Sequence, residues 1–268
     1  MDALGQIDGW PAAHACAVVV GAGGALAARG DERRPYPWAS VTKLLTALAA
    51  LVAVEEGTVD LEEPAGPAGA TVRHLLAHAS GLPLDHGAAL TAPGRRRIYS
   101  NPGFEAVAAL VERRAEMPFA HYLAGAVLRP LGIEGELRGP ASSGFEGTLV
   151  DLGLLGRELL APTVVAPETL GEATTVQFPG LVGVLPGFGR MDPNDWGLGF
   201  ELRDAKHPHW TGDANSPTTF GHFGRSGTFL WVDPDRALAL GVLTDQPFGP
   251  WAAEAWPALS DAVLASPR

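Results

Sequence analysis

Ser40 and Lys43 stand three residues apart at the head of an apolar run, Leu44-Leu45-Thr46-Ala47-Leu48-Ala49-Ala50. On a helix that spacing puts a hydroxyl and an amine on one face. At the helix start Ser40 would lie near unpaired backbone N–H groups and the positive end of the dipole, which favour developing negative charge. A hydroxyl beside an amine of lowered pKa, under N–H donors, is an activated nucleophile for acyl transfer. Apolar neighbours around Lys43 predict desolvation, and with it an amine neutral enough to act as a base. The S-x-x-K pattern alone is loose, so its meaning depends on partners elsewhere in the chain.

The elements that must hold such partners follow from periodicity. Val41, Leu44, Leu45, Leu48, Leu51 and Val52 recur at three and four and predict a core-facing helix, stopped at Glu55-Glu56-Gly57. Before it, residues 14–20 and 25–28 predict a hairpin around Gly21-Ala22-Gly23-Gly24. Residues 71–78 predict a short helix capped by Thr71, with Leu75 and Leu76 inward. Further helices are expected over 104–114, 119–128, 149–160 and 251–264, the last with Trp256, Leu259 and Val263 inward. Strand patterns occupy 197–202, 220–232 and 237–244. Residues 135–195 alternate Gly, Pro and single apolar residues outside the helix at 149–160. A loop-rich stretch of that length is expected to cover a site or hold a ligand.

Composition bounds the function. The chain has 268 residues, 46% hydrophobic and 18% charged, enough for a substantial core in a globular protein. A formal charge of −11 argues against nucleic acid or an anionic membrane as partner. Cys16 is the sole cysteine, lies in an apolar run, and reads as a small buried residue. No leader peptide or membrane-spanning stretch is read from the N-terminus, which gives a cytoplasmic expectation. His74 and His78 stand four apart, but the H-E-x-x-H pattern and a third ligand are missing, so neither metal nor cofactor is expected. The run Gly94-Arg95-Arg96-Arg97 reads as solvated surface or, being next to Tyr99, as the border of a cleft.

Three ordered motifs resemble the serine β-lactamase and penicillin-binding-protein superfamily, in its class C-like branch with related esterases and D-alanyl peptidases. They are Ser40-Val41-Thr42-Lys43, Tyr99-Ser100-Asn101 in the place of Y-x-N, and His222-Phe223-Gly224 in the place of K-T-G or H-x-G. Flanking phrases agree: Leu75-Leu76-Ala77-His78-Ala79-Ser80-Gly81-Leu82-Pro83, Arg129-Pro130-Leu131-Gly132-Ile133, Trp196-Gly197-Leu198-Gly199-Phe200, and the stretch from Gly227 to Pro234. The resemblance spans about residues 14–245.

It implies an α+β fold of the β-lactamase/transpeptidase type: an antiparallel sheet flanked by helices, plus a mostly helical lobe. The sheet lobe would come from 1–57 and 196–268 and the helical lobe from 58–195, in a single unit with a cleft between them. It implies a serine hydrolase forming an acyl-enzyme on a small-molecule ester, amide or peptide. Ser40 would be the nucleophile, with Lys43 and Tyr99 exchanging protons, the phenol needing a nearby cation to act near neutrality. Asn101, His222, Gly224 and Arg225 would contact substrate: Asn101 by hydrogen bonds, Gly224 by leaving room, Arg225 through its backbone N–H beside that of Ser40 in an oxyanion hole. In isolation Tyr99 would read as a core residue and Asn101 as a helix cap.

His222 departs from the lysine usual in relatives that favour β-lactams. A mostly neutral imidazole shifts expectation toward esterase or peptidase-like activity. Arg225 could supply charge, although on a strand its side chain would face away. A non-catalytic binding or sensor module on the same scaffold is the alternative, and the joint presence of Ser40, Lys43 and Tyr99 speaks against it.

Overall fold

The computed structural model describes residues 2–266. In chain order, β1 (Ala15–Gly21) and β2 (Gly24–Arg29) form the expected hairpin, and β3 (Tyr36–Pro37) leads through a 3₁₀ turn at Ala39–Val41 into α1 (Thr42–Glu55). Then come α2 (Val72–Leu76), α3 (Asn101–Ala115), α4 (Phe119–Leu123) and, after a π-helical turn at Ala124–Leu128, α5 (Arg129–Leu131). β4 (Glu136–Leu137), β5 (Phe145–Gly147), α6 (Leu149–Leu160), α7 (Pro167–Ala173) and the hairpin β6 (Gly183–Leu185) with β7 (Gly189–Met191) follow. β8 (Glu201–Leu202), β9 (Phe220–Gly224), β10 (Thr228–Asp233), β11 (Leu238–Thr244) and α8 (Pro250–Ala265) complete the order.

The main sheet runs β2-β1-β11-β10-β9-β8, antiparallel throughout, so the fold is α+β as expected. Alternation along β1 divides the core. Cys16, Val18 and Val20 pack with α1 and α6, while Ala17 and Val19 pack on the other face with Leu4, Ile7 and the α8 residues Trp256, Leu259 and Val263. Burial pushes the Cys16 thiol up to about 12, which leaves it inert as a nucleophile.

α1 carries more than a stripe: every residue from 42 to 53 is buried, because α3, α4, the π-helical turn and β9 all pack around it. Its polar side chains are therefore spent on specific bonds. Thr46 donates to the Ala141 carbonyl at 2.6 Å, and Thr42 accepts from the Phe145 N–H at 3.1 Å, so the 141–145 segment is laced to α1.

Three expectations change. The 220–232 pattern is two strands, β9 and β10, broken by a turn at Arg225-Ser226-Gly227 closed by the Gly227 N–H on Gly224 O at 3.0 Å. Of 197–202 only Glu201–Leu202 is strand; Gly199, at φ +89°, lies against Ala47 of α1 where a side chain would collide. The 3₁₀ segment Asp2–Gly9, α7 and the β6–β7 hairpin have no counterpart among the predicted elements. Among the described residues no helix is long and apolar enough to cross a membrane.

Candidate active site

The chain reaches Ser40 through a strained step. Ala39 sits at φ +45°, the left-handed region, which costs a residue with a Cβ about 1–3 kcal/mol. Ser40, half-buried in the 3₁₀ turn, faces the cleft, and Lys43 lies fully buried in the first turn of α1. The Lys43 Nζ is 3.3 Å from Ser40 Oγ, 2.8 Å from Asn101 Oδ1 and 2.9 Å from the Ser142 carbonyl oxygen. It also lies 4.8 Å from the centre of the Tyr99 ring. Desolvation brings its pKa down to about 7, with the charges of Glu105 and Asp85 pulling part of the way back.

Tyr99 reaches the same point from the loop before α3. Its phenol oxygen is 3.4 Å from His222 Nε2. The His222 Nδ1 lies 2.7 Å from the Phe223 carbonyl, which can only accept, so the proton is on Nδ1 and Nε2 accepts from the phenol. Burial, with repulsion from Lys43, lowers His222 to about 3, so the imidazole is neutral. Burial also raises the Tyr99 phenol well above its usual value, with the nearby Ser40 hydroxyl opposing. Near pH 7 the site therefore sets a neutral phenol beside an amine that is about half protonated. Under Tyr99 lies His78, fully buried, its ring 4.5 Å from the phenol ring and 4.6 Å from Trp196. Its Nδ1 accepts from the Ser100 N–H at 3.1 Å. His74 instead caps α2, its Nδ1 2.9 Å from Thr71 Oγ1.

Ser40 lies between two basins. A cavity of about 270 Å³ is walled by Leu84, Leu185, Pro186, Trp196, Phe223 and Phe248, with Tyr99, His222 and Glu201 among its polar edges. A wider, more polar basin of about 1140 Å³ includes Asp85, His86, Glu105, Ser142 and Ser143. Asn101 and Arg225 border both. Arg225 is exposed at the rim because it sits on the β9–β10 turn, not on a strand. Gly224 does not leave open room: a Cβ there would be 2.6 Å from the Trp38 carbonyl and 3.1 Å from the Ala39 Cβ. Its bareness lets the Ser40 turn close on the end of β9. The helix cap is Ser100, whose Oγ accepts from the Gly103 N–H at 3.2 Å, which frees Asn101 for Lys43.

Arg97 goes inward, not to the cleft. Its guanidinium donates to the carbonyls of Ala77, Gln177, Phe178 and Asn194, stapling the 177–195 loop to the base of the site. Residues without a motif to announce them also gather here: Asp85, Glu105, Ser142 and Glu201. Glu105, four residues after Asn101 on α3, was accessible from helical spacing; the others come from loops or strand ends where no periodicity points.

The comparisons agree with this fold. A structure titled a beta-lactamase from Mycobacterium bovis is 55% identical, with a TM-score of 0.97 over 98% of each chain. SurE with D-Leu is 26% identical at a TM-score of 0.79, covering 97% of this chain and 75% of its own. EstCE1, titled a hydrolase with promiscuous acyltransferase activity, shares the fold at 17% identity and a TM-score of 0.79, over 98% of this chain and 97% of its own. No curated protein matches. The family model described as beta-lactamase covers residues 13–264, so the chain belongs to the beta-lactamase family, a family of serine hydrolases.

Proposed function

We propose that the protein hydrolyses small, uncharged esters or amides through an acyl-enzyme on Ser40, with Lys43 as the base. The observation that carries this reading is the partner set of Lys43. Two of its three neighbours, Asn101 Oδ1 and the Ser142 carbonyl, can only accept. A neutral amine has two N–H bonds and one lone pair. With both N–H bonds donated to these oxygens, the lone pair is left for the Ser40 O–H. The proton passes to Nζ as Oγ bonds to the substrate carbonyl carbon, and the carbonyl oxygen takes the negative charge. Backbone N–H groups of Ser40 and Arg225 would hold that oxyanion. Collapse breaks the bond to the leaving group, which takes a proton from the Tyr99 phenol, itself resupplied by the Lys43 ammonium. Water then repeats the sequence and frees the acid.

The neutral His222 supports the substrate class. Among the described residues lining the cavity no buried lysine or arginine would meet a carboxylate; Arg225 is at the rim. The apolar walls suit the acyl part. A second reading, β-lactam hydrolysis, is favoured by the 55% identity to a structure titled a beta-lactamase. A fluorophosphonate probe should label the native protein at Ser40, and Ser40→Ala and Lys43→Ala should lose both labelling and ester turnover. A panel of p-nitrophenyl esters, a chromogenic cephalosporin and a D-Ala-D-Ala peptide separates the readings. Faster turnover of the cephalosporin than of the esters would replace the first reading by the second, and full ester turnover in Ser40→Ala would end both.

A further inference from the structure

The two oxygens that fix the Lys43 amine are themselves fixed, each by a carboxylate. Glu105 stands one helical turn beyond Asn101 on α3. Its Oε1 accepts from the Ser142 N–H at 2.8 Å and its Oε2 from the Ala141 N–H at 3.2 Å. One carboxylate holding two successive N–H groups sets the direction of the backbone through Ser142, whose carbonyl then points to Nζ. The far side of this loop is tied by Thr46 on the Ala141 carbonyl. Asp85 does the corresponding task for Asn101. Its Oδ1 accepts from Asn101 Nδ2 at 3.1 Å. An amide fits its site in either of two orientations, and a carboxylate, which can only accept, selects the one with Oδ1 toward Lys43.

We propose that Glu105 and Asp85 are positioning residues that lock the two acceptors of Lys43 and thereby aim its lone pair at Ser40, an inference that rests on Lys43 being the base of acylation. Neither carboxylate bonds to the amine. Each acts through its intermediary and by its charge. The other titratable side chains at the amine, His78, His222 and Tyr99, are held neutral by burial, and Arg225 stands at the rim. Glu105 and Asp85 are therefore the negative charges that keep the amine from falling further below its present value.

The test is the pH dependence of Ser40 acylation by a fluorophosphonate, measured for the wild type, Glu105→Gln, Asp85→Asn and Glu105→Asp, with Lys43→Ala as control. Glutamine presents an N–H₂ to one of the two loop N–H groups, so the Ser142 carbonyl turns, and asparagine at 85 lets the Asn101 amide reverse. Each neutral variant is expected to acylate about 10- to 100-fold more slowly, with the acid limb of the profile moved about half a unit or more to lower pH. Glu105→Asp keeps the charge, so its limb should stay with the wild type while its rate falls. An acid limb that does not move in either neutral variant overturns the proposal, whatever the rate. Asp85 lies on an exposed loop, so its variant decides the matter if Glu105→Gln does not fold. Labelling retained by Lys43→Ala would instead refute the base assignment itself, a separate result.

Discussion

A neutral imidazole at position 222 shapes both the proton inventory and the selectivity of the cleft. Because Lys43 must be unprotonated to accept from Ser40, kcat/KM for a neutral ester should rise with pH through about 7, the value to which burial brings the amine. His222→Lys places a cation where Nε2 now accepts from Tyr99. Its charge should push the Lys43 acid limb below that of the wild type and improve carboxylate-bearing substrates relative to neutral esters by about tenfold, the worth of one charge-assisted hydrogen bond. Parallel kcat/KM profiles for a p-nitrophenyl ester and a carboxylate-bearing analogue measure both effects. An unchanged ratio from pH 6 to 8 would remove substrate charge from the reasons for histidine here. Ser40, Lys43, Tyr99, Asn101 and His222 were legible in the sequence because each belongs to a spaced pattern. The lowered Lys43 amine and the neutral His222 were legible too, from apolar neighbours and residue type; the raised Tyr99 phenol was not, since it follows from how deeply the fold buries it.

The turn after β3 and the end of β9 make the site by their closeness, and Gly224 sets that closeness. With a Cβ added, the Trp38 carbonyl at 2.6 Å is backbone and must shift. Gly224→Ala should therefore cost about 1–3 kcal/mol of stability through overpacking. It should also slow Ser40 labelling by about 10- to 100-fold, because the nucleophile moves away from the Arg225 N–H. Calorimetry and labelling rates read the two losses; labelling at the wild-type rate would show that the strand end does not set the nucleophile's place. The same region shows why some elements were hidden. The β9–β10 break was unreadable from pattern alone because Phe220-Gly221-His222-Phe223 and Thr228-Phe229-Leu230-Trp231 suit strands equally well. What marks the turn is Gly227 at φ +83°, packed against the Gln246 carbonyl, a contact from far along the chain. The hairpin, α1, α6 and α8 were legible because hydrophobic period and end signals agree there. The β6–β7 hairpin has only three residues per strand, too few to establish a period.

Buried titratable groups give the folded protein a common response to acid. His222 is held at about 3 against 6.5, and burial also lowers His78 and His209. His222 stays neutral in the fold while the unfolded chain takes up a proton, so its contribution falls as pH drops from 6.5 toward 3, and the lowered His78 acts in the same sense. Glu201 acts in the same sense. Held at about 2 by the His209 and Lys206 side chains against its burial, it loses its contribution as pH falls from 4.5 through 2. Lys43, at about 7 against 10.5, makes stability rise with pH between those values. Burial of Tyr36, Tyr99 and Tyr122 raises their phenols, which reverses the slope only above about pH 10. The opposing influence is the net charge of −11, whose self-repulsion eases on acidification. That relief is spread over the surface and screened within about 8 Å at physiological salt. The histidine penalty is buried and unscreened: His222 alone forfeits about 2 kcal/mol between pH 8 and pH 5. Calorimetry at 0.15 M salt should therefore find a Tm lower at pH 5 than at pH 8, with roughly 4–8 °C coming from His222 alone. His222→Asn, which removes one titrating group, should flatten the dependence. A Tm at pH 5 equal to or above that at pH 8 would mean that relief of surface repulsion outweighs the protons the core excludes.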